Sequence, residues 1–142
     1  MSARRERRRN EVKKHPYQYP GTINKHSDRT MYEYIQDVKR MIAVIVAAIK
    51  KRHAIETRYR DARRWVEPCC LGTGEDSRWL LWGWQVNRYS GWRLFRVEEF
   101  LELRDTGEVV QGQRCGFDYS HPDMTSIHAR MYPPVYHQGE TY

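Results

Sequence analysis

The sequence predicts an α+β domain, one N-terminal helix followed by a small curled antiparallel sheet or barrel. Three observations lead there. An apolar stripe at helical spacing runs from about residue 30 to residue 52, and just after Arg52 the period drops to two. Short apolar runs then recur with turn residues between them.

Ser27 to Thr30 offer capping oxygens, and the helix should run to about Arg52. Tyr34, Ile35, Val38, Met41, Ile42, Ile45, Ala48 and Ile49 make its apolar face. Val44 and Val46 lie off that stripe, an excess that predicts a second covered surface and self-association as a dimer. "AIETRYR" alternates Ile55, Thr57 and Tyr59 against Glu56, Arg58 and Arg60, the pattern of a half-buried strand. "RWVEPCCL" continues extended, with Pro68 at a strand end or edge, and "GTGED" is a turn rather than a phosphate loop.

Residues 77 to 96, "SRWLLWGWQVNRYSGWRLFR", hold four of the five tryptophans and four arginines. They divide into "RWLLWGWQV", the turn "NRYSG" and "WRLFRV". Leu80, Trp82, Trp84 and Val86 share one strand face, which being wholly apolar is expected against the core. Gly83 marks a bend or bulge that lets the sheet curl. A strand "FLEL", the turn "RDTGE" and "VVQ" complete a five-stranded sheet, and from Ser120 the chain reads as an irregular tail. The expected organisation is thus an arm over 1–26, a domain over 27–119 and a tail over 120–142.

The formal charge of +7 is concentrated at the start of the chain. Residues 1–14 contain seven cations, Arg4, Arg5, Arg7, Arg8, Arg9, Lys13 and Lys14, against two glutamates. The rest carries 18 basic and 16 acidic residues and is dipolar, basic over 50–64 and acidic over 98–123. A basic arm and one basic patch suit a polyanion partner. The longest apolar run, Met41 to Ile49, is far short of the roughly 20 residues that span a bilayer. With no apolar leader either, a cytoplasmic protein without a membrane partner is expected.

Vicinal Cys69 and Cys70 with a distant Cys115 make neither a disulfide framework nor a zinc half-site, and the six histidines have no ligand spacing. The cysteines read as small buried hydrophobes. No metal, cofactor or catalytic constellation is implied, so an enzyme is not expected.

Four stretches in order resemble the WYL domain, a bacterial and phage ligand-sensing module on an Sm-like β-barrel. They are "AIKKRHAIETRYR", "RRWVEPCCL", "SRWLLWGW" and "WRLFRVEEF", within roughly Ala48 to Tyr119. The central Tyr of the name-giving triplet is Leu80 here, Glu99 replaces a usual Arg, and the winged helix-turn-helix has no counterpart. The resemblance implies a ligand surface at Tyr59, Arg64, Trp79, Arg93 and Arg96 that binds nucleic acid or a nucleotide-like ligand. Arginine forks take phosphate oxygens bidentately and aromatic planes accept bases. The plainer alternative is that Tyr59 and Trp79 only pack and that Arg93 pairs with Glu67 or Glu98. If Arg93 and Arg96 are to share one mouth, their spacing of three requires a bulge near Phe95.

Two functions compete. One is a stand-alone WYL-like accessory protein, non-enzymatic, acting in transcription regulation or in a phage or bacterial defence process. The other is an interaction protein, a subunit that meets a host or phage protein through its apolar helix and tail.

Overall fold

The computed structural model describes residues 30–110, 114 and 120–131. The arm cations Arg4 to Lys14, the boundary expected at 26/27 and Cys115 lie outside them. The chain divides into two units, Met1–Lys39 and Arg40–Tyr142.

The helix, α1, spans Met31–Lys51. Thr30 starts it with a reciprocal capping box: the Glu33 N–H donates to Thr30 Oγ1 at 3.0 Å and the Thr30 N–H to Glu33 Oε1 at 3.1 Å. In the first unit Met31, Tyr32 and Ile35 are exposed, so the expected apolar face is not buried at Ile35. In the second unit Ile45, Ala48 and Ile49 enter the main core, and Val46 packs against the same core. The chain's own sheet therefore accounts for one of the two off-stripe valines. Arg52 ends the helix in the left-handed region at φ 61°, its N–H donating to Ile49 O at 3.1 Å.

Among the described residues six strands follow rather than five: β1 His53–Tyr59, β2 Ala62–Thr73, β3 Trp79–Gln85, β4 Gly91–Arg96, β5 Phe100–Val109 and β6 Ser126–Arg130. They form one antiparallel sheet in the order β4-β3-β2-β1-β5, with β6 added to β2. Long β2 has two different edges. Its first half pairs with β1 through Ile55↔Val66 to Tyr59↔Ala62, and its last residues pair with β6 through Cys70↔Arg130 to Thr73↔Ser126. Strand β3 runs along the opposite edge from Val66 to Thr73.

Strands β4 and β5 sit at opposite ends of the order, yet only the 3-10 turn Val97–Glu99 separates them in sequence. Three such residues span about 6 Å. The sheet must therefore curl until its ends approach. Among the described residues no ladder joins β4 to β5, so the Sm-like barrel implied by the resemblance stays open.

Three local readings need correction. "RDTGE" is not a turn between strands but a bulge inside β5, where pairing passes from Ile55↔Asp105 to His53↔Val109. Its turn chemistry is present all the same, since Gly107 adopts φ 81° and donates its N–H to Asp105 Oδ1 at 2.8 Å. The segment after Ser120 carries β6. The Leu80–Trp82 face is not the main-core face, because Leu81 enters that core. Instead Leu80, Trp82, Trp92 and Leu94 cover a second cluster of Cys69, Cys70 and Met124. A register shift between Pro68 and Cys70, opposite Gly83, lets both cysteines be buried. Burial pushes the Cys70 thiol up to about 11.

At Gly72 a Cβ would lie 2.2 Å from Ser126 O, so β2 and β6 approach more closely than any side chain permits. Gly72→Ala should cost about 1–3 kcal/mol through overpacking and strip amide-exchange protection from residues 126–130. Urea melts and hydrogen exchange check this; unchanged protection there would mean that the β2–β6 pair accommodates the added methyl without opening. Among the described residues no helix is long and apolar enough to cross a membrane.

Candidate functional site

The β1–β2 connection is a two-residue hairpin turn in which Arg60 and Asp61 both have positive φ, at 50° and 65°. That geometry matches the sheet's right-handed twist. It also sets Tyr59, Arg60 and Arg64 close together at the gap where the sheet stays open.

Tyr59 is buried, its ring edge-on to Phe95 at 5.0 Å and to Phe100 at 5.5 Å between centroids. Its hydroxyl accepts the Arg96 N–H at 3.0 Å, satisfying a donor of terminal strand β4. Burial raises the phenol's pKa, and this hydrogen bond partly opposes the shift. The guanidinium carbons of Arg60 and Arg64 lie 5.1 and 5.5 Å from the ring centroid.

The arginines fall into two populations. Members of the first have a carboxylate: Arg60 with Glu99 at 2.8 Å, Arg63 with Glu102 at 2.9 Å, Arg104 with Glu56 at 2.8 Å, Arg114 with Glu67 at 2.8 Å. Arg78 lies 3.5 Å from both Asp76 and Glu98. The two glutamates considered for Arg93 are thus engaged by Arg114 and Arg78.

The second population has neutral acceptors or none. Arg64 donates to Gln85 Oε1 at 2.9 Å and to the Tyr59 carbonyl at 3.2 Å, while its Nε is buried without a partner. Arg93 donates to the carbonyls of Tyr89 at 2.6 Å and Trp92 at 3.2 Å. Among the described residues no carboxylate pairs with Arg64, Arg93 or Arg96. Burial pushes the Arg64 guanidinium below its ordinary value; Tyr59 opposes this, and neighbouring Arg88, Arg93 and Arg60 add to it.

These side chains border an open cleft of about 710 Å³. Tyr59, Arg64, Arg93 and Arg96 line it, so four of the five residues drawn from the resemblance come together. Trp79 does not: it packs on the main core, with its ring edge-on to His128 at 5.2 Å. No bulge brings Arg93 and Arg96 to one mouth, because the β3–β4 register runs unbroken from Gln85↔Gly91 to Leu80↔Arg96. Instead β4 is the terminal strand, and the cleft takes in side chains from both its faces.

Sequence reasoning missed the other wall. Pro122, Asp123 and Thr125 line it, with Glu75, Asp76 and Arg78 from the β2–β3 turn. The Thr125 N–H donates to Thr73 O at 2.8 Å, and this places the wall. The cleft is dipolar, cationic around Tyr59 and acidic around Gly74. Nothing in the spacing of residues 120–125 announces this. A hairpin reading of "RYRDAR" could have found Arg60.

A helix leading into a curled, open antiparallel sheet with an arginine–tyrosine cleft at its gap defines the class, a small α+β module. Residues 40–105, a little under half of the chain, match the family model described as WYL domain. The match begins before Ala48 and stops short of Tyr119, in the β5 bulge. Proteasome accessory factor B/C (PafBC) of Arthrobacter aurescens is similar in structure, with 26% identity and a TM-score of 0.42. The likeness covers 46% of this chain and 11% of that one, so this chain spans about a tenth of that protein. No curated protein matches this chain.

Proposed function

We propose that the protein is a non-enzymatic accessory or regulatory protein whose WYL cleft takes a phosphate of a nucleic acid or nucleotide-like ligand. One observation carries this reading: Arg64, Arg93 and Arg96 share a cleft without a described carboxylate, while the other two arginines lining it, Arg60 and Arg78, each have one. Clustering like charges costs stability, and an anion removes that cost on binding. Its charge-assisted hydrogen bonds are about twice as strong as neutral ones. The arm cations, Arg4 to Lys14, add affinity independent of sequence through counterion release. The acidic wall suits hydrogen-bond donors, such as exocyclic amines or sugar hydroxyls, on the rest of such a ligand.

Arg96→Ala should weaken binding of a short single-stranded oligonucleotide at least about tenfold, the loss of about 1.5–3 kcal/mol for a charge-assisted contact. Circular dichroism should stay that of the wild type, because no described side chain depends on the Arg96 guanidinium. Equal affinity would remove the cleft from the reading. The interaction-protein alternative would then lead. It is favoured by Met31, Tyr32 and Ile35, which are 61%, 71% and 43% exposed on the first turns of α1 and offer an apolar surface to a protein partner or a second copy.

A further inference from the structure

We propose that the β3–β4 turn is a rigid extension of the cleft, and that Tyr89 at its tip stacks on a base of a single-stranded nucleic acid held by the arginines. Rigidity comes first. The Val86 N–H donates to Trp65 O at 2.7 Å, and Asn87 ties the turn to β2 twice, accepting the Trp65 N–H at 2.9 Å and donating to Arg63 O at 3.0 Å. The Ser90 hydroxyl donates to Val86 O at 2.9 Å. Beneath the turn Gln85, only 2% exposed, spends both amide hydrogens on it, donating to Asn87 O at 3.2 Å and to Tyr89 O at 3.4 Å.

Those bonds hold the turn on both sides of Arg88, which sits at φ 60°. A turn fixed this heavily has no need of an aromatic at its tip for stability. Tyr89 is nevertheless 82% exposed. A lone exposed aromatic is ordinary; what matters here is its attachment. The Tyr89 carbonyl accepts Arg93 Nη2 at 2.6 Å and a Gln85 amide hydrogen at 3.4 Å, so the residue carrying the free ring anchors Arg93 directly and is linked to Arg64 through Gln85, whose Oε1 Arg64 binds. A phosphate on those guanidiniums brings the adjoining base to the turn. There a ring already immobilised through its backbone stacks at small entropic cost.

The inference rests on the anion-binding reading of the cleft, and one set of measurements separates the two. A labelled single-stranded oligodeoxynucleotide of about eight nucleotides, within the usual site size, is titrated by anisotropy at several salt concentrations. Tyr89→Ala should weaken binding about fivefold or more, Tyr89→Phe should stay within about twofold of wild type, and neither should change the salt slope, since no cation is lost. In a series carrying one abasic nucleotide at successive positions, one member should abolish the difference between wild type and Tyr89→Ala. If Tyr89→Ala binds like wild type while Arg96→Ala is weakened, the stacking role is wrong and the cleft reading stands. If both bind like wild type, the cleft reading itself is wrong. A changed salt slope in Tyr89→Ala would also overturn the proposal, because the effect would then run through a displaced Arg93.

Discussion

Phe95→Ala should lower stability by about 3–5 kcal/mol, the usual cost of removing a buried aromatic. Phe95 is fully buried on β4, paired with Leu81 and wedged between Tyr59 at 5.0 Å and Phe100 at 5.7 Å. These rings come from three strands and hold the curled sheet at its open gap, where no ladder does. A domain of this size has only about 5–15 kcal/mol in all. With a urea m-value of about 2 kcal/mol per molar, the midpoint should fall by about 2 M. A shift below about 0.5 M would mean that the gap is held by something other than these rings.

The second large effect concerns binding. Replacing both Arg64 and Arg96 by Met keeps much of their apolar stems but removes both forks, and should reduce oligonucleotide affinity at least about a hundredfold. Stability should move the other way or hardly at all. Removing Arg64 relieves the repulsion it shares with Arg88, Arg93 and Arg60, at the cost of its two hydrogen bonds, to Gln85 and to the Tyr59 carbonyl. Each such bond is worth about 1 kcal/mol and the relief offsets part of the loss, so thermal stability should change little while binding collapses. A double variant that loses stability in step with affinity would mark the two arginines as structural.

The fold was legible wherever one period dominated. The α1 stripe and the alternation of Ile55, Thr57 and Tyr59 each describe a surface half in and half out of a core. Where both faces are covered the pattern lost its meaning, so the apolar Leu80–Trp82 face was assigned to the wrong core. Strand β6 was invisible because its residues are mostly exposed; its pairing is fixed by β2 and by the close approach at Gly72. In the bulge, Asp105 and Gly107 form a genuine local turn, and only the resumed ladder at Val109 shows that the strand continues.

The site followed the same logic. Tyr59, Arg64, Arg93 and Arg96, drawn from the WYL resemblance, line one cleft because they lie on regular strands that the curl of the sheet brings together. Trp79 differs because its face of β3 turns toward the main core and His128. The acidic wall could not be named, since it depends on a segment folding back some fifty residues later, from Thr73 to Thr125.

The shared edge of β2 also sets an order of events during synthesis. Strands β1 to β5 are complete once Val109 has been made, and the curled core can assemble from them. Among the described strands, the backbone of Cys70 to Thr73 then has β3 on one side and no partner on the other until Ser126–Arg130 emerges. For that interval the nascent chain presents an open strand edge beside buried Cys70 and Leu71, the kind of edge that recruits other chains. Among the described residues the last strand made is thus the cover of that edge, and a message broken between codons 110 and 125 would yield a core with the edge left open.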